Sequence, residues 1–274
     1  MSAITRFLPK NHLSYFIGKF VHLRLPKFIN TWLISTFAKT YHIDLNEAEH
    51  AVEAYPSLGE FFIRKLKPGI RPIGSTWAVH PADSVITQAS RIRDGKLIQA
   101  KDKTYSLAQF TAQANAAGNL KWQDGVFLTY YLCPTDYHRV HSPVTGVIKK
   151  VVHIPGALWP VNSWSTENVD ELFSINERVL VEIETDRGLV GVMFVAATNV
   201  GQIILSFDSE IVGNQFKATQ NVEKAYTLNI AKGDELGAFR MGSTIVMLYA
   251  HGVLRDENVE RFLGKPAKVN ANFV

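Results

Sequence analysis

The 274 residues, 46% hydrophobic and 20% charged, mark a globular protein with enough chain for one large domain and an appendage, or for two small domains. A single cysteine, Cys133, excludes an internal disulfide framework and a cysteine-rich zinc site. The net charge of +4 is unevenly placed: residues 1–43 hold Arg6, Lys10, Lys19, Arg24, Lys27 and Lys39 and no acidic residue, so the remainder is slightly acidic.

The basic segment is also aromatic and apolar. Leu13, Phe16, Ile17, Phe20 and Val21 recur at helical spacing, and so do Ile29, Trp32, Leu33 and Phe37; Asn11 is a candidate cap and Pro26 separates the two helices. The longest run without charge, 28–38, is eleven residues, well short of the roughly 20 that cross a bilayer. A cleaved signal peptide fits poorly, because Lys and Pro interrupt the apolar stretch. Basic amphipathic helices suit a peripheral membrane surface, although an ordinary helical cap on the core would carry the same pattern. A nucleic-acid partner is not expected, since the aromatics follow a helix face and do not interleave with a basic groove.

Asp44 with Glu47, and Ser57 with Glu60, have capping-box spacing and predict short helices starting near 45 and 58. From Ile73 onward the pattern is one of short β-rich runs between turn residues: VFLTYYL, GVIKKVVHI, RVLVEIET, GLVGVMFVAA, GQIILSF and TIVMLYAHG. Strand following strand without long helices predicts an α+β protein, a helical N-terminal part (1–72) on a predominantly antiparallel β barrel or sandwich (73–274).

Three places carry chemistry. TDYHRVHSP holds His138 and His141, which a regular strand would point to opposite sides. VHPADSVI holds His80 and Asp83 before a strand, a place where Asp is often simple turn chemistry. KGDELGAFRMGSTIV sets Gly242, Ser243 and Thr244 before an apolar run, which alone reads as a turn. Asp, His and Ser together would make a proton-transfer set, and no Gly-x-Ser-x-Gly elbow surrounds Ser243. A zinc-dependent hydrolase with Asp83, His138 and His141 as ligands, and a noncatalytic membrane-binding β module, stand as alternatives.

Taken in order, FFIRKLKPGIRPI, HPADSVI, DYHRVHSPVTGVI, ATNVGQI and KGDELGAFRMGSTIV resemble the bacterial phosphatidylserine decarboxylases over most of the chain. Ser84 stands where the family usually has Gly, Met241 where it often has Leu, and Gln202 where it often has Ser. The resemblance implies self-cleavage between Gly242 and Ser243 into residues 1–242 and 243–274, with Ser243 becoming a covalent pyruvoyl group; no metal is implied. It implies that phosphatidylserine is decarboxylated to phosphatidylethanolamine and CO2 through a Schiff base with that group. By the same resemblance Asp83, His141 and Ser243 form the processing triad, with His141 as base and Asp83 as its orienting carboxylate. His138 is then the second histidine, for substrate binding or protonation. The implied partners are phosphatidylserine, an anionic membrane surface on the cytoplasmic face and the two chains of one precursor, with a homodimer left open.

Overall fold

The computed structural model describes residues 20–100, 103–113, 120–198, 202–211, 213, 220–240, 243–255 and 258–274, Ser243 by its backbone alone. The expected first helix with its Asn11 cap lies largely outside them, as does Gly242. Among the described residues are thirteen strands: β1 (Ser84–Arg91), β2 (Lys96–Ala100), β3 (Lys103–Ser106), β4 (Val126–Leu132), β5 (Arg139–His141), β6 (Gly146–Ile154), β7 (Arg178–Thr185), β8 (Gly188–Ala196), β9 (Ile203–Leu205), β10 (Val222–Ile230), β11 (Glu235–Phe239), β12 (Ser243–Tyr249) and β13 (Pro266–Ala267).

Eight of them form one sheet in the order β10-β6-β7-β8-β12-β4-β1-β13, and β5-β11-β9 form a second. Every pairing between these strands is antiparallel. The large sheet is open, not a closed barrel, and its inner strand β12 is buried on both faces. Ile245, Met247 and Tyr249 of β12 pack with Val140, Leu236 and Phe239 of the smaller sheet. Val246 and Leu248 pack on the other side with Leu97, Phe110 and Phe173. Side chains of a strand alternate between faces, so a strand with two buried faces reads as a continuous apolar run, which is why TIVMLY lacks the polar alternation of a half-exposed strand.

The expected second helix of the basic segment and the expected turns near 45 and 58 are present. Asp44 accepts a hydrogen bond from the Asn46 amide (2.9 Å) at the start of the 3₁₀ turn Leu45–Glu47. Ser57 accepts one from the Glu60 amide (3.2 Å) at the start of helix Leu58–Phe62. Ahead of these lies helix Lys27–Thr40, whose Ile34 and Ala38 join Ile43, Tyr55 and Phe61 in a small separate core.

Candidate active site

Strand register gathers the chemistry-bearing segments at one end of the large sheet. Ser243 opens β12 opposite Leu132, the last residue of β4, and opposite Ala196, the last of β8. Val85 of β1 pairs with Tyr131, so Asp83, just before β1, comes to the same end. The turn that follows β4 leads through Cys133 and Asp136 to His138 and β5. His138 in turn receives the Phe239 amide on its carbonyl (3.0 Å), four residues ahead of Ser243.

Asp83 is buried and fully engaged. Its Oδ1 accepts from the Val269 amide (2.8 Å) and Arg71 Nε (3.2 Å), and its Oδ2 accepts from Arg71 Nη2 (2.7 Å) and Lys268 Nζ (3.3 Å). Burial pushes its pKa up, but Arg71, the Val269 amide and Lys268 outweigh it and hold the carboxyl below its ordinary range. Arg71 is itself shared with Glu47 (2.9 and 3.0 Å).

His141 is gripped at both ring nitrogens. Nδ1 lies 2.7 Å from the Gly233 carbonyl, which can only accept, so Nδ1 carries the proton; Nε2 then offers its lone pair to the Tyr137 hydroxyl at 3.0 Å. Gly233 can present this carbonyl because its φ of +90° suits a residue without a side chain, and a Cβ there would meet Ile73 Cδ1 at 2.5 Å. The orienting group expected at His141 was Asp83; in the structure the Gly233 carbonyl orients the ring, and Asp83 is spent on Arg71, Lys268 and Val269. The segment that leads to Asp83 meets His141 through backbone, His141 N donating to Pro81 O (2.9 Å). A cavity of about 310 Å³ opens beside His141, lined also by Arg71, Tyr137, Lys65 and Lys67.

His138 lies apart from His141, its ring centroid 4.0 Å from that of Phe62 and its side chain without solvent exposure. Nδ1 donates to Asp136 O (2.8 Å), and no partner reaches Nε2 among the described residues. Burial is the largest influence on the imidazole, lowering its pKa to about 3, with Arg64 nearby adding to the effect. His138 therefore rests neutral with a bare lone pair. His80 is a core residue, 3.1 Å from the Tyr130 hydroxyl and packed against Phe262 and Phe273; burial brings it down to about 4.

Gly242 and the Ser243 side chain lie outside the described residues. The approach to them is braced by Gln202, whose carbonyl accepts from the Arg240 amide and whose Oε1 accepts from Arg240 Nη1, both at 3.0 Å. No group of three or more His, Cys, Asp or Glu among the described residues, Asp83, His138 and His141 included, is placed to hold a metal ion. The sequence reading missed Arg71, Tyr137 and Gly233. All three lie within the motifs given above, but Gly233 acts through a carbonyl that no side-chain pattern marks.

A family model for phosphatidylserine decarboxylase matches residues 58–271. Similar curated proteins include the phosphatidylserine decarboxylase proenzyme of Shewanella amazonensis, 38% identical over 93% of this chain and 90% of its own. That of Shewanella loihica is 39% identical over 92% and 90%, and that of Myxococcus xanthus 36% identical over 90% and 88%.

Proposed function

The chain belongs to the phosphatidylserine decarboxylase family, and from that premise we propose how it acts on phosphatidylserine to give phosphatidylethanolamine and CO2. The observation that supports the reading is that strand register brings Asp83, the turn leading to His138 and His141, and the start of β12 at Ser243 to one end of the large sheet, within a chain that matches the family over residues 58–271.

The precursor cleaves itself between Gly242 and Ser243. Nε2 of His141 takes the Ser243 hydroxyl proton, the oxygen attacks the Gly242 carbonyl, and the peptide C–N bond breaks as the Ser243 nitrogen takes a proton, leaving an ester. Loss of the Ser243 α-proton then expels the Gly242 carboxylate to give dehydroalanine, which water hydrolyses to the pyruvoyl ketone with release of ammonia. Tyr137 first gives up its place at Nε2. Asp83 is the buried anion of the set, held ionised by Arg71 and Lys268. The fold suits a cofactor made from Ser243, because β12 lies between β8 and β4 and stays paired on both sides after its N-terminal bond is cut. Residues 243–274 therefore remain with 1–242. The pyruvoyl group supplies an electron sink for the α-carbon when CO2 leaves.

The bare Nε2 of His138 suits accepting a hydrogen bond from the substrate's ammonium; an imidazole that rests neutral is a poor proton store. His138 thus binds and His141 moves protons. Helix Lys27–Thr40 and the residues before it meet an anionic membrane surface on the cytoplasmic face.

Mass spectrometry under denaturing conditions tests this. Wild type separates into two fragments and phenylhydrazine labels only 243–274, whereas Ser243→Ala stays whole and inactive. His141→Ala blocks cleavage, and His138→Ala retains more cleavage than decarboxylation. Decarboxylation of phosphatidylserine by wholly intact wild-type chain would refute the mechanism.

A further inference from the structure

Arg64 follows helix Leu58–Phe62 and is 4% exposed, with its guanidinium 5.2 Å from the centre of the Phe61 ring. Nη2 reaches Thr135 O at a long 3.4 Å, and Nε and Nη1, both shielded from solvent, find no acceptor among the described residues. The acids around it are committed elsewhere. Asp83 and Glu47 bind Arg71, and Asp136 Oδ2 accepts from the Cys133 amide at 2.8 Å.

A buried cation without a counter-ion is costly, since its lost hydration is not replaced. It lies on the turn that carries His138, whose Nε2 is also unpartnered. Phe61 backs the guanidinium and Phe62 backs the imidazole. Arg64, which reaches the turn at Thr135, and His138 on that turn thus hold open donors and an open acceptor, a set matched to an anion next to an ammonium.

We propose that Arg64 is the anion receptor of the substrate site and binds the phosphodiester of the lipid headgroup. The assignment rests on the decarboxylase reading. The headgroup has two anions, and the chemistry separates them. An ion pair to the carboxylate would have to break as CO2 leaves, stabilising the ground state against the reaction, whereas the phosphodiester persists unchanged from substrate to product. Binding it equally throughout lowers KM and leaves kcat alone.

The test compares processed wild type, Arg64→Gln and Arg64→Lys on phosphatidylserine in mixed micelles. Arg64→Gln is expected to raise KM about 10- to 100-fold with kcat changed less than about threefold, and Arg64→Lys to recover part of the loss. Glycerophosphoethanolamine should inhibit wild type more strongly than serine does, and this preference should vanish in Arg64→Gln. Arg64→Gln should also melt no lower than wild type without ligand, because it removes an uncompensated cation.

Thermal shifts with inorganic phosphate and with glycerophosphoethanolamine read the site without turnover. Stabilisation of wild type by the phosphodiester and not by phosphate identifies the lipid headgroup as its source; stabilisation by phosphate alone would overturn the assignment. A drop in kcat at unchanged KM would overturn it too. So would a lowered melting temperature in both variants, which would make Arg64 a structural cation. If wild type releases no CO2 from phosphatidylserine, the decarboxylase reading fails on its own, and the phosphodiester-dependent shift still reports on Arg64.

Discussion

At His141 the two ring nitrogens carry different restraints. The Gly233 carbonyl fixes the proton on Nδ1 and so makes Nε2 the basic nitrogen, and Tyr137 spends its hydroxyl proton there. Tyr137 is buried, and burial pushes its phenol pKa up, so it stays a neutral donor. Tyr137→Phe removes one hydrogen bond and keeps the ring, a loss of about 0.5–1.5 kcal/mol. Because the phenol must leave Nε2 before that nitrogen can take the Ser243 proton, and Gly233 still sets the tautomer, cleavage is expected to speed up by about three- to tenfold. A gel time course on freshly refolded precursor measures this, and a wild-type rate would show that the phenol only fills space. The sequence marked Asp83, His138 and His141 because each sits in a compact local motif. It could not mark the orienting group of His141, since Gly233 is 92 residues away and contributes only its carbonyl. Arg64 and Arg71 were within a quoted motif, but a list of arginines does not tell a paired guanidinium from an unpaired one.

The elements were legible where they repeat a local rule. Capped starts at Asp44 and Ser57 came from side chains that reach their own first turn. The buried face of helix Lys27–Thr40 was not legible, because its apolar residues surround it. Trp32, which shares helical spacing with Ile29, Leu33 and Phe37, is 64% exposed, while Asn30 is buried and donates to Tyr55 O (2.6 Å). The contact that decides how the N-terminal segment docks lies at Gly59, where a Cβ would fall within the His22 ring. In Gly59→Ala the gain in helix propensity, about 1 kcal/mol, opposes an overpacking cost of about 1–3 kcal/mol. Global melting should therefore change little, while docking of His22 weakens. Limited trypsin digestion is expected to cut faster at Arg24 and Lys27 in the variant. Equal digestion rates would mean that His22 swings aside and the segment stays seated.

On the scale of the whole molecule, the N-terminal segment presents a surface that the β body does not cover. Phe20, Leu23, Phe28 and Trp32 are exposed beside Arg24 and Lys27, and no helix among the described residues is long and apolar enough to cross a membrane. Ile34 and Ala38 of the same helix are buried against Tyr55 and Phe61, so deleting residues 1–43 would strip a core along with the surface. A cleaner variant is Phe28→Ser with Trp32→Ser, one turn apart on the exposed side. Full burial of each ring is worth at most about 3 kcal/mol, and an interfacial helix buries less, so the double variant should lose about 10- to 100-fold in vesicle partitioning. Each basic residue near an anionic surface adds about 1 kcal/mol, so salt should weaken binding further without abolishing the apolar part. Flotation with anionic and neutral vesicles over a salt series measures both contributions, and a cleavage gel confirms that the β body still processes itself. If the double variant floats like wild type, the exposed aromatics do not touch lipid, and the membrane contact must be sought on another face.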